Sequence, residues 1–198
     1  MGLGTIAASQ LVVITSMIRS TASEVANSSN DIATTNNLSY EIIALLIGYD
    51  LKMSYTNLLY HIVYGTKDRL PLITKELRPD LHRFLGGLVK DLHGTPLVIN
   101  GVTDHVHVLA RIKPVISISE FLSKLKSQSS GWANRKTGGR FKWQVKYGAF
   151  TVSQSQVERV RNYIRNQEAH HRKHSFADEF KALLRAHRID FDERHLWS

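Results

Sequence analysis

At residues 104–112 the chain reads Asp104-His105-Val106-His107-Val108-Leu109-Ala110-Arg111-Ile112. Polar and apolar residues alternate in this stretch with a period of two, which is typical of a half-buried β-strand. Residues i and i+2 of a strand point to the same face, so His105 and His107 share one face while Val106 and Val108 pack the other. Two imidazoles side by side on a rigid strand can converge on one metal ion. Taken alone, the pair is more typical of ordinary polar positions on a solvated sheet face.

The segments on either side of this strand predict an α+β fold. Aromatic and β-branched residues favour a strand at 55–64, and leucines at helical spacing predict a helix between Pro79 and Gly94. Residues 97–102 form a second strand that turns back into the histidine-bearing one. A capping box at Ser117 and Glu120 opens a second helix, and alternation predicts a strand over 141–152. This order favours an antiparallel sheet with helices packed on one face, a ferredoxin-like arrangement, followed by a C-terminal helix.

A helix over residues 156–170 carries the second informative pattern. Ser155 and Glu158 form a capping box that predicts its start. Tyr163 and Gln167 are separated by four residues, so they lie one above the other at the border of the buried face. Taken alone, such a pair is more typical of a tyrosine at the rim of a core and a solvated glutamine than of a site.

The last predicted helix begins at Ser175, where Ser175 and Asp178 form a further capping box. Its inward positions are apolar: Phe176, Phe180, Leu183 and Leu184. We interpret this helix as packing or a subunit contact rather than as a carrier of chemistry.

Composition separates the first 52 residues from the rest. Residues 1–52 hold two basic and four acidic side chains, so they contribute −2 to the net charge of +9 and leave +11 for the remainder. We therefore predict a partly disordered N-terminal extension at 1–52 and the functional domain at 53–198. The apolar runs of the extension are shorter than the ~20 residues that a membrane span needs. No Lys or Arg precedes the first of them, which argues against a secretory signal and favours a cytoplasmic protein.

The positive charge and the absence of cysteine restrict the possible chemistry. A net charge of +9 favours a polyanionic partner, nucleic acid first. Without cysteine there are no disulfides or thiolate metal sites, so any metal must be held by nitrogen and oxygen ligands. Four basic residues are candidate phosphate contacts: Lys67, Arg111, Lys124 and Lys126.

The two informative stretches together resemble a known family. A His-hydrophobic-His strand followed about sixty residues later by Tyr-x-x-x-Gln on a helix is similar to the HUH single-tyrosine transposases of bacterial and archaeal insertion sequences, the TnpA type of the IS200-like family. The resemblance runs from Met53 to the C-terminus. The stretches that carry it are Leu59-Tyr60-His61-Ile62-Val63, Asp104-His105-Val106-His107, Tyr147-Gly148-Ala149-Phe150-Thr151-Val152-Ser153 and Asn162-Tyr163-Ile164-Arg165-Asn166-Gln167.

The resemblance implies a mechanism and assigns residues to it. His105, His107 and the amide oxygen of Gln167 would bind one divalent cation, Mg²⁺ or Mn²⁺, which polarises the scissile phosphate. Tyr163 would be the nucleophile that cleaves and rejoins single-stranded DNA at insertion-sequence ends through a 5′-phosphotyrosine. The family also implies a ferredoxin-like fold, hairpin-bearing DNA ends, and a homodimer in which active sites are often shared in trans.

Three other functions remain open at this point. A non-catalytic nucleic-acid-binding module would present exposed aromatic residues on the sheet, where this chain has histidines. A metal-dependent hydrolase would use His105 and His107 to activate water but has no use for Tyr163. A domesticated nickase of the same family would share every one of these residues, so the sequence does not separate it from a transposase.

Overall fold

The computed structural model of this protein describes residues 55–197. Four strands form one antiparallel sheet in the order β2-β3-β1-β4: β1 (Leu59–Gly65), β2 (Gly94–Gly101), β3 (His105–Ile112) and β4 (Gly148–Thr151). Helix α1 (Leu77–Asp91) connects β1 to β2, and helix α2 (Ile118–Thr137) connects β3 to β4. This order is that of a ferredoxin-like fold, so the predicted α+β class is confirmed. The extension predicted at residues 1–52 lies outside the described residues.

Three helices follow the last strand: α3 (Val157–Arg165), α4 (Gln167–His170) and α5 (Phe176–Ala186). Short 3₁₀ turns lie at Lys67–Arg69, Gln154–Gln156 and Glu193–His195. Within residues 55–197, no helix combines the length and the apolar character that crossing a bilayer requires.

The alternation of β3 divides the sheet into two faces. Val106, Val108 and Ala110 belong to a core that includes buried side chains of α1 and α2. The opposite face carries His105 and His107, and both imidazoles are fully buried. They are buried because the helices after β4 cover this face as well: Leu109 packs with Val157 and Ile164 of α3, and Val63 packs with Phe176 and Phe180 of α5. The histidine face is therefore an interior and not a solvated surface.

Two of the three predicted capping boxes are present in the structure. Ser117 accepts a hydrogen bond from the backbone N–H of Glu120, and Ser175 accepts one from Asp178, so both predicted helix starts are confirmed. The box at Ser155 is wrong, because the α-helix begins at Val157 and the Ser155 hydroxyl instead hydrogen-bonds that of Ser153 at 3.0 Å. A short 3₁₀ turn at Gln154–Gln156 leads into the helix and takes the place of a side-chain cap.

The strand predicted over 141–152 is also shorter than expected. The regular strand covers only Gly148–Thr151, which pairs with β1. Trp143 forms an isolated bridge with Thr66, just beyond the end of β1, and the side chains of Phe141 and Trp143 are buried in the core. The Trp143 ring nitrogen donates a hydrogen bond to the buried Ser129 hydroxyl at 2.9 Å, and the ring packs edge-on against Tyr64. Burial of this indole, with its single donor satisfied, outweighs the alternating pattern.

A tight turn between β2 and β3 sets the position of His105. A Cβ added at Gly101 would lie 2.2 Å from the backbone oxygen of His105 and 2.9 Å from the Cα of Val106. Both contacts are with backbone atoms, so no side-chain movement can relieve them. Only glycine allows the two strands to meet this closely.

We therefore expect Gly101→Ala to lower the free energy of unfolding by about 2–3 kcal/mol, as overpacking against rigid neighbours does. Gly87→Ala is the matched control, because Gly87 lies inside α1 and an added Cβ meets nothing within 4 Å. The control should be neutral or stabilising by up to about 1 kcal/mol, since alanine favours the helix. Urea denaturation of both variants measures the difference, and equal stability of Gly101→Ala and wild type would contradict this account of the turn.

Candidate metal and tyrosine site

The two histidines of β3 are oriented by different partners. His105 Nδ1 lies 2.8 Å from Asp104 Oδ1, and His107 Nδ1 lies 2.9 Å from Nε2 of His61 on the neighbouring strand β1. The Nδ1 atom of each ring is therefore engaged, which fixes the ring and directs its Nε2 atom toward the helices above the sheet. His61 belongs to one of the family-like sequence stretches, but no role was predicted for it. Its register opposite Leu109, two residues beyond His107 on the same face, is the signal that could have suggested one.

Helix α3 and the short helix α4 carry Tyr163 and Gln167. The two residues were predicted to lie on one continuous helix, but the helix is interrupted at Asn166, whose φ and ψ are −93° and 18°. Asn100 of β2 donates hydrogen bonds to the backbone oxygens of Ile164 and Arg165, at 2.9 and 3.0 Å. These bonds satisfy carbonyl groups that the interruption frees and anchor the end of α3 to the sheet.

Gln167 is fully buried beside the histidines. Its Oε1 atom lies 3.4 Å from His105 Nε2, and its Nε2 atom donates a hydrogen bond of 2.9 Å to Glu179 Oε1. The Tyr163 hydroxyl donates a hydrogen bond to the same carboxylate oxygen. The Tyr163 ring lies edge-on to His107 and His61, with ring centres 5.9 and 6.1 Å away. One chain thus brings together the four residues that the sequence selected.

Glu179 of α5 is a site residue that the sequence analysis missed. Its Oε2 atom lies 3.0 Å from His171 Nε2, 3.3 Å from His107 Nε2 and 3.5 Å from His105 Nε2. The apolar side of α5 packs as predicted, but the interpretation of this helix as packing alone is incomplete. A signal was present: Glu179 lies three residues after Phe176 and four before Leu183, so a carboxylate interrupts the apolar stripe of an amphipathic helix.

Burial and the Glu179 carboxylate determine the protonation states of the site residues. Burial lowers the pKa of His107 to about 4 and that of His61 to about 3, so both rings are neutral near pH 7. Burial opposes ionisation of Glu179, but contacts with His107 and His171 outweigh it and hold the pKa of the carboxyl below its usual value. Burial, with Glu179 nearby, raises the pKa of the Tyr163 phenol above its usual value. In this arrangement the phenol keeps its proton.

The donor set fits a divalent cation. His105, His107, His171 and Glu179 each offer one ligand atom, and these atoms all lie within 4.8 Å of one another. His107 Nε2 is buried and makes no hydrogen bond of good geometry, although Glu179 Oε2 is 3.3 Å away, so this nitrogen is suited to binding a metal. The carboxylate and amide oxygens suit ions such as Mn²⁺ and Mg²⁺, and the imidazole nitrogens suit transition-metal ions.

An open cleft of about 810 Å³ reaches Tyr163 from outside. Residues of α3 and α5 line it, and its lining includes Arg159, His174 and His187 together with the acidic residues Asp178 and Glu179. Arg159 was not among the predicted DNA contacts. The cleft gives a ligand access to the phenol although the histidines behind it are buried.

The four predicted phosphate contacts lie apart from this cleft. Lys124 pairs with Glu120 at 2.7 Å, and Lys126 donates to the backbone oxygen of Val145 at 2.6 Å; both lie on α2, which covers the other face of the sheet. Lys67 is exposed on the turn after β1. Arg111 is exposed at the far end of β3 from His105, and its Nε atom donates to Asn57 at 2.9 Å.

Comparison with known proteins identifies a matching family and similar sequences. Residues 54–167 match the model of the family described as "Transposase IS200 like". Transposases for insertion sequence element IS200 from Salmonella typhimurium and Salmonella typhi are each 28% identical over 130 residues, which cover 61% of this chain and 85% of theirs.

Two solved structures are also similar. A protein assigned as a transposase of Deinococcus radiodurans R1 is 22% identical with a TM-score of 0.49, over 60% of this chain and 96% of that one. A REP-associated tyrosine transposase bound to a REP hairpin is 13% identical with a TM-score of 0.46, over 62% and 73%. Because the family model spans more than half of the sequence, this chain belongs to the IS200-like transposase family.

Proposed function

We propose that this transposase cleaves and rejoins single-stranded DNA at insertion-sequence ends through a covalent bond between Tyr163 and DNA. One observation carries the proposal: in a single chain, the Tyr163 hydroxyl and the Gln167 amide contact the same carboxylate, which lies within 3.5 Å of the imidazoles of His105 and His107. A phenol beside a metal-competent cluster is the arrangement that nucleophilic attack on phosphorus needs.

In the proposed reaction one phosphorus–oxygen bond forms as another breaks, so no external energy source is needed. The Tyr163 oxygen loses its proton and attacks the scissile phosphorus, forming a 5′-phosphotyrosine. The bond from phosphorus to the 3′ oxygen breaks, and that oxygen leaves as a hydroxyl after gaining a proton. Because the phosphotyrosine conserves the energy of the phosphodiester, a 3′-OH can later attack it and rejoin the strands without ATP.

His105, His107 and the amide oxygen of Gln167 are the residues that we assign to a divalent cation, Mg²⁺ or Mn²⁺. When bound, such an ion supplies Lewis-acid polarisation of the phosphate and favours the phenolate form of a nearby tyrosine. His61 and Asp104 hold the two imidazoles in the orientation that leaves Nε2 available.

The DNA substrate is proposed from charge and from access to the site. The net charge of +9 favours a polyanionic partner. Arg159 lines the same cleft as Tyr163, so a positive charge lies on the path to the phenol. A hairpin-bearing DNA end is proposed by analogy with the family. Lys67, Arg111, Lys124 and Lys126 remain proposed phosphate contacts. Arg111, Lys124 and Lys126 would each give up a partner within the protein to bind phosphate: Asn57, Glu120 and the backbone oxygen of Val145.

A denaturing gel tests the proposal directly. Wild-type protein incubated with Mn²⁺ and labelled single-stranded DNA should yield a covalent protein–DNA band that protease digestion converts to a faster-migrating species. Cleavage without a covalent band would indicate a metal-dependent hydrolase instead. Binding without cleavage would indicate a nucleic-acid-binding module.

We further propose a homodimer, since one tyrosine can hold only one DNA end and strand exchange involves two. Each site is proposed to form within one subunit, because Tyr163 lies against the His107 ring of its own chain.

Mixing two inactive variants tests whether sites are built in cis or in trans. A mixture of Tyr163→Phe and His105→Ala protein should cleave no better than the two variants separately. If subunits instead exchanged tyrosine helices, random assembly would make half of the dimers mixed. Each mixed dimer would have one intact site of two, so about a quarter of wild-type cleavage would be restored. Gel quantification after subunit exchange measures this, and recovery of that size would contradict assembly in cis.

A further inference from the structure

We infer that Glu179 of α5 is an anionic ligand of the proposed metal centre, in addition to the three ligands that the family resemblance implies. The inference rests on the proposed metal-assisted function but concerns a residue beyond the span 54–167 that the family model matches. It makes the C-terminal helix part of the site.

The first argument is the convergence of atoms. Glu179 Oε2 lies 3.0, 3.3 and 3.5 Å from the Nε2 atoms of His171, His107 and His105. Ligands about 2.1 Å from an octahedral ion are about 3 Å from their nearest neighbours in the coordination shell. The spacing in the protein is therefore close to that of adjacent ligands around one ion.

The second argument is the position of the hydrogen atoms on the imidazole rings of His105 and His171. Nδ1 of His105 faces a carboxylate oxygen of Asp104, and Nδ1 of His171 faces the backbone oxygen of His174 at 2.8 Å. Both oxygens only accept hydrogen bonds, so each Nδ1 carries a hydrogen, and the Nε2 atom of each ring faces the acceptor oxygen of Glu179. An imidazole nitrogen and a carboxylate oxygen that face each other need a positive charge between them, which a proton or a metal ion supplies. In the metal-bound site the ion would take the place of that proton.

The third argument is charge. Two imidazoles and one amide contribute no negative charge, and a divalent ion held by them alone would be buried without compensation. Of the acidic side chains in residues 55–197, Glu179 is the one that is buried, with 4% of its surface exposed. Its negative charge lies beside the imidazoles, where it would balance the charge of a buried divalent ion.

Packing holds the carboxylate in this position. Phe176, one turn earlier on α5, stacks on the His105 ring with centres 4.1 Å apart and planes 6° from parallel. Phe180 and Leu184 pack in the same core as Val63 and Phe150 of the sheet. Because α5 is anchored on both sides of Glu179, the carboxylate is preorganised for a ligand rather than recruited from solvent.

Titration of Mn²⁺ into the full chain without DNA, followed by calorimetry, tests the inference. Glu179→Gln keeps the size of the side chain but removes its charge, and it should weaken Mn²⁺ binding at least tenfold. Glu120→Gln on α2, an exposed carboxylate on the other side of the sheet, is the matched control and should bind as wild type does. Unchanged or tighter Mn²⁺ binding by Glu179→Gln would overturn the inference, and tighter binding would mean that Glu179 competes with the metal for its place.

A measurement on the wild type keeps the inference testable if the variant fails to fold. A crystal structure of the Mn²⁺ complex should place a Glu179 oxygen at bonding distance, about 2.2 Å, from the anomalous peak of the ion. An ion on His105 and His107 with Glu179 turned away would overturn the inference and leave the proposed function intact. Failure of the wild type to bind Mn²⁺ would instead contradict both the inference and metal assistance in the proposed function.

Discussion

Replacing Tyr163 with phenylalanine is expected to reduce covalent protein–DNA adduct and strand cleavage by at least about 1,000-fold, as the loss of a nucleophile does. The change removes one oxygen and keeps the ring, which lies edge-on to His61 and His107, so the fold should persist. The lost hydrogen bond to Glu179 should lower stability by about 1–3 kcal/mol at most. Quantification of the covalent band on denaturing gels measures the effect.

Tyr147→Phe is the matched control for this substitution. Tyr147 is a half-buried tyrosine whose ring contacts Lys126, and phenylalanine keeps that ring. This variant should cleave within about twofold of wild type, since its hydroxyl is remote from the proposed chemistry. Cleavage that survives Tyr163→Phe would transfer the nucleophilic role to water and favour a hydrolase.

Replacing His105 with alanine should reduce cleavage at least about 100-fold while DNA binding changes by less than about threefold. The reason is that His105 is fully buried behind Tyr163, so it can act on a bound phosphate through a metal but contributes little to the DNA-binding surface. Mn²⁺ affinity should fall in parallel with cleavage. Cleavage assays, filter binding with single-stranded DNA and calorimetry with Mn²⁺ measure the three quantities on one preparation.

His82→Ala provides the control for removing a histidine that is shielded from solvent. His82 lies on α1, away from the site, and burial lowers its pKa to about 4 as it does for His107. The control should retain both Mn²⁺ binding and cleavage. Full activity of the wild type in EDTA, or of His105→Ala with Mn²⁺, would exclude the metal role assigned to these residues.

Short-range patterns were sufficient for much of the scaffold. The alternation at residues 104–112 correctly separated His105 and His107 from Val106 and Val108, because the two-residue period of a strand is a local property of the backbone. Ser117 and Ser175 marked helix starts for a similar reason, since a capping hydroxyl reaches only two or three residues along its own chain.

Sequence patterns gave wrong helix and strand bounds where contacts between residues far apart in the chain determined the structure. The interruption at Asn166 is stabilised by Asn100, a residue 66 positions earlier, whose bonds to the carbonyls of Ile164 and Arg165 have no local signature. The early end of the strand predicted at 141–152 depends on the pocket that receives Trp143. In both places tertiary contacts outweighed local propensity.

The sequence by itself determined the order of strands and helices and the face shared by His105 and His107, because both follow from local periodicity along the chain. Only the tertiary structure decided that this face is buried, that His61 orients His107, and that Glu179 joins the cluster from α5. His61 and His107 are 46 positions apart and meet because β1 pairs with β3, while Glu179 and His105 are 74 positions apart and meet because the apolar side chains of α5 pack on the sheet.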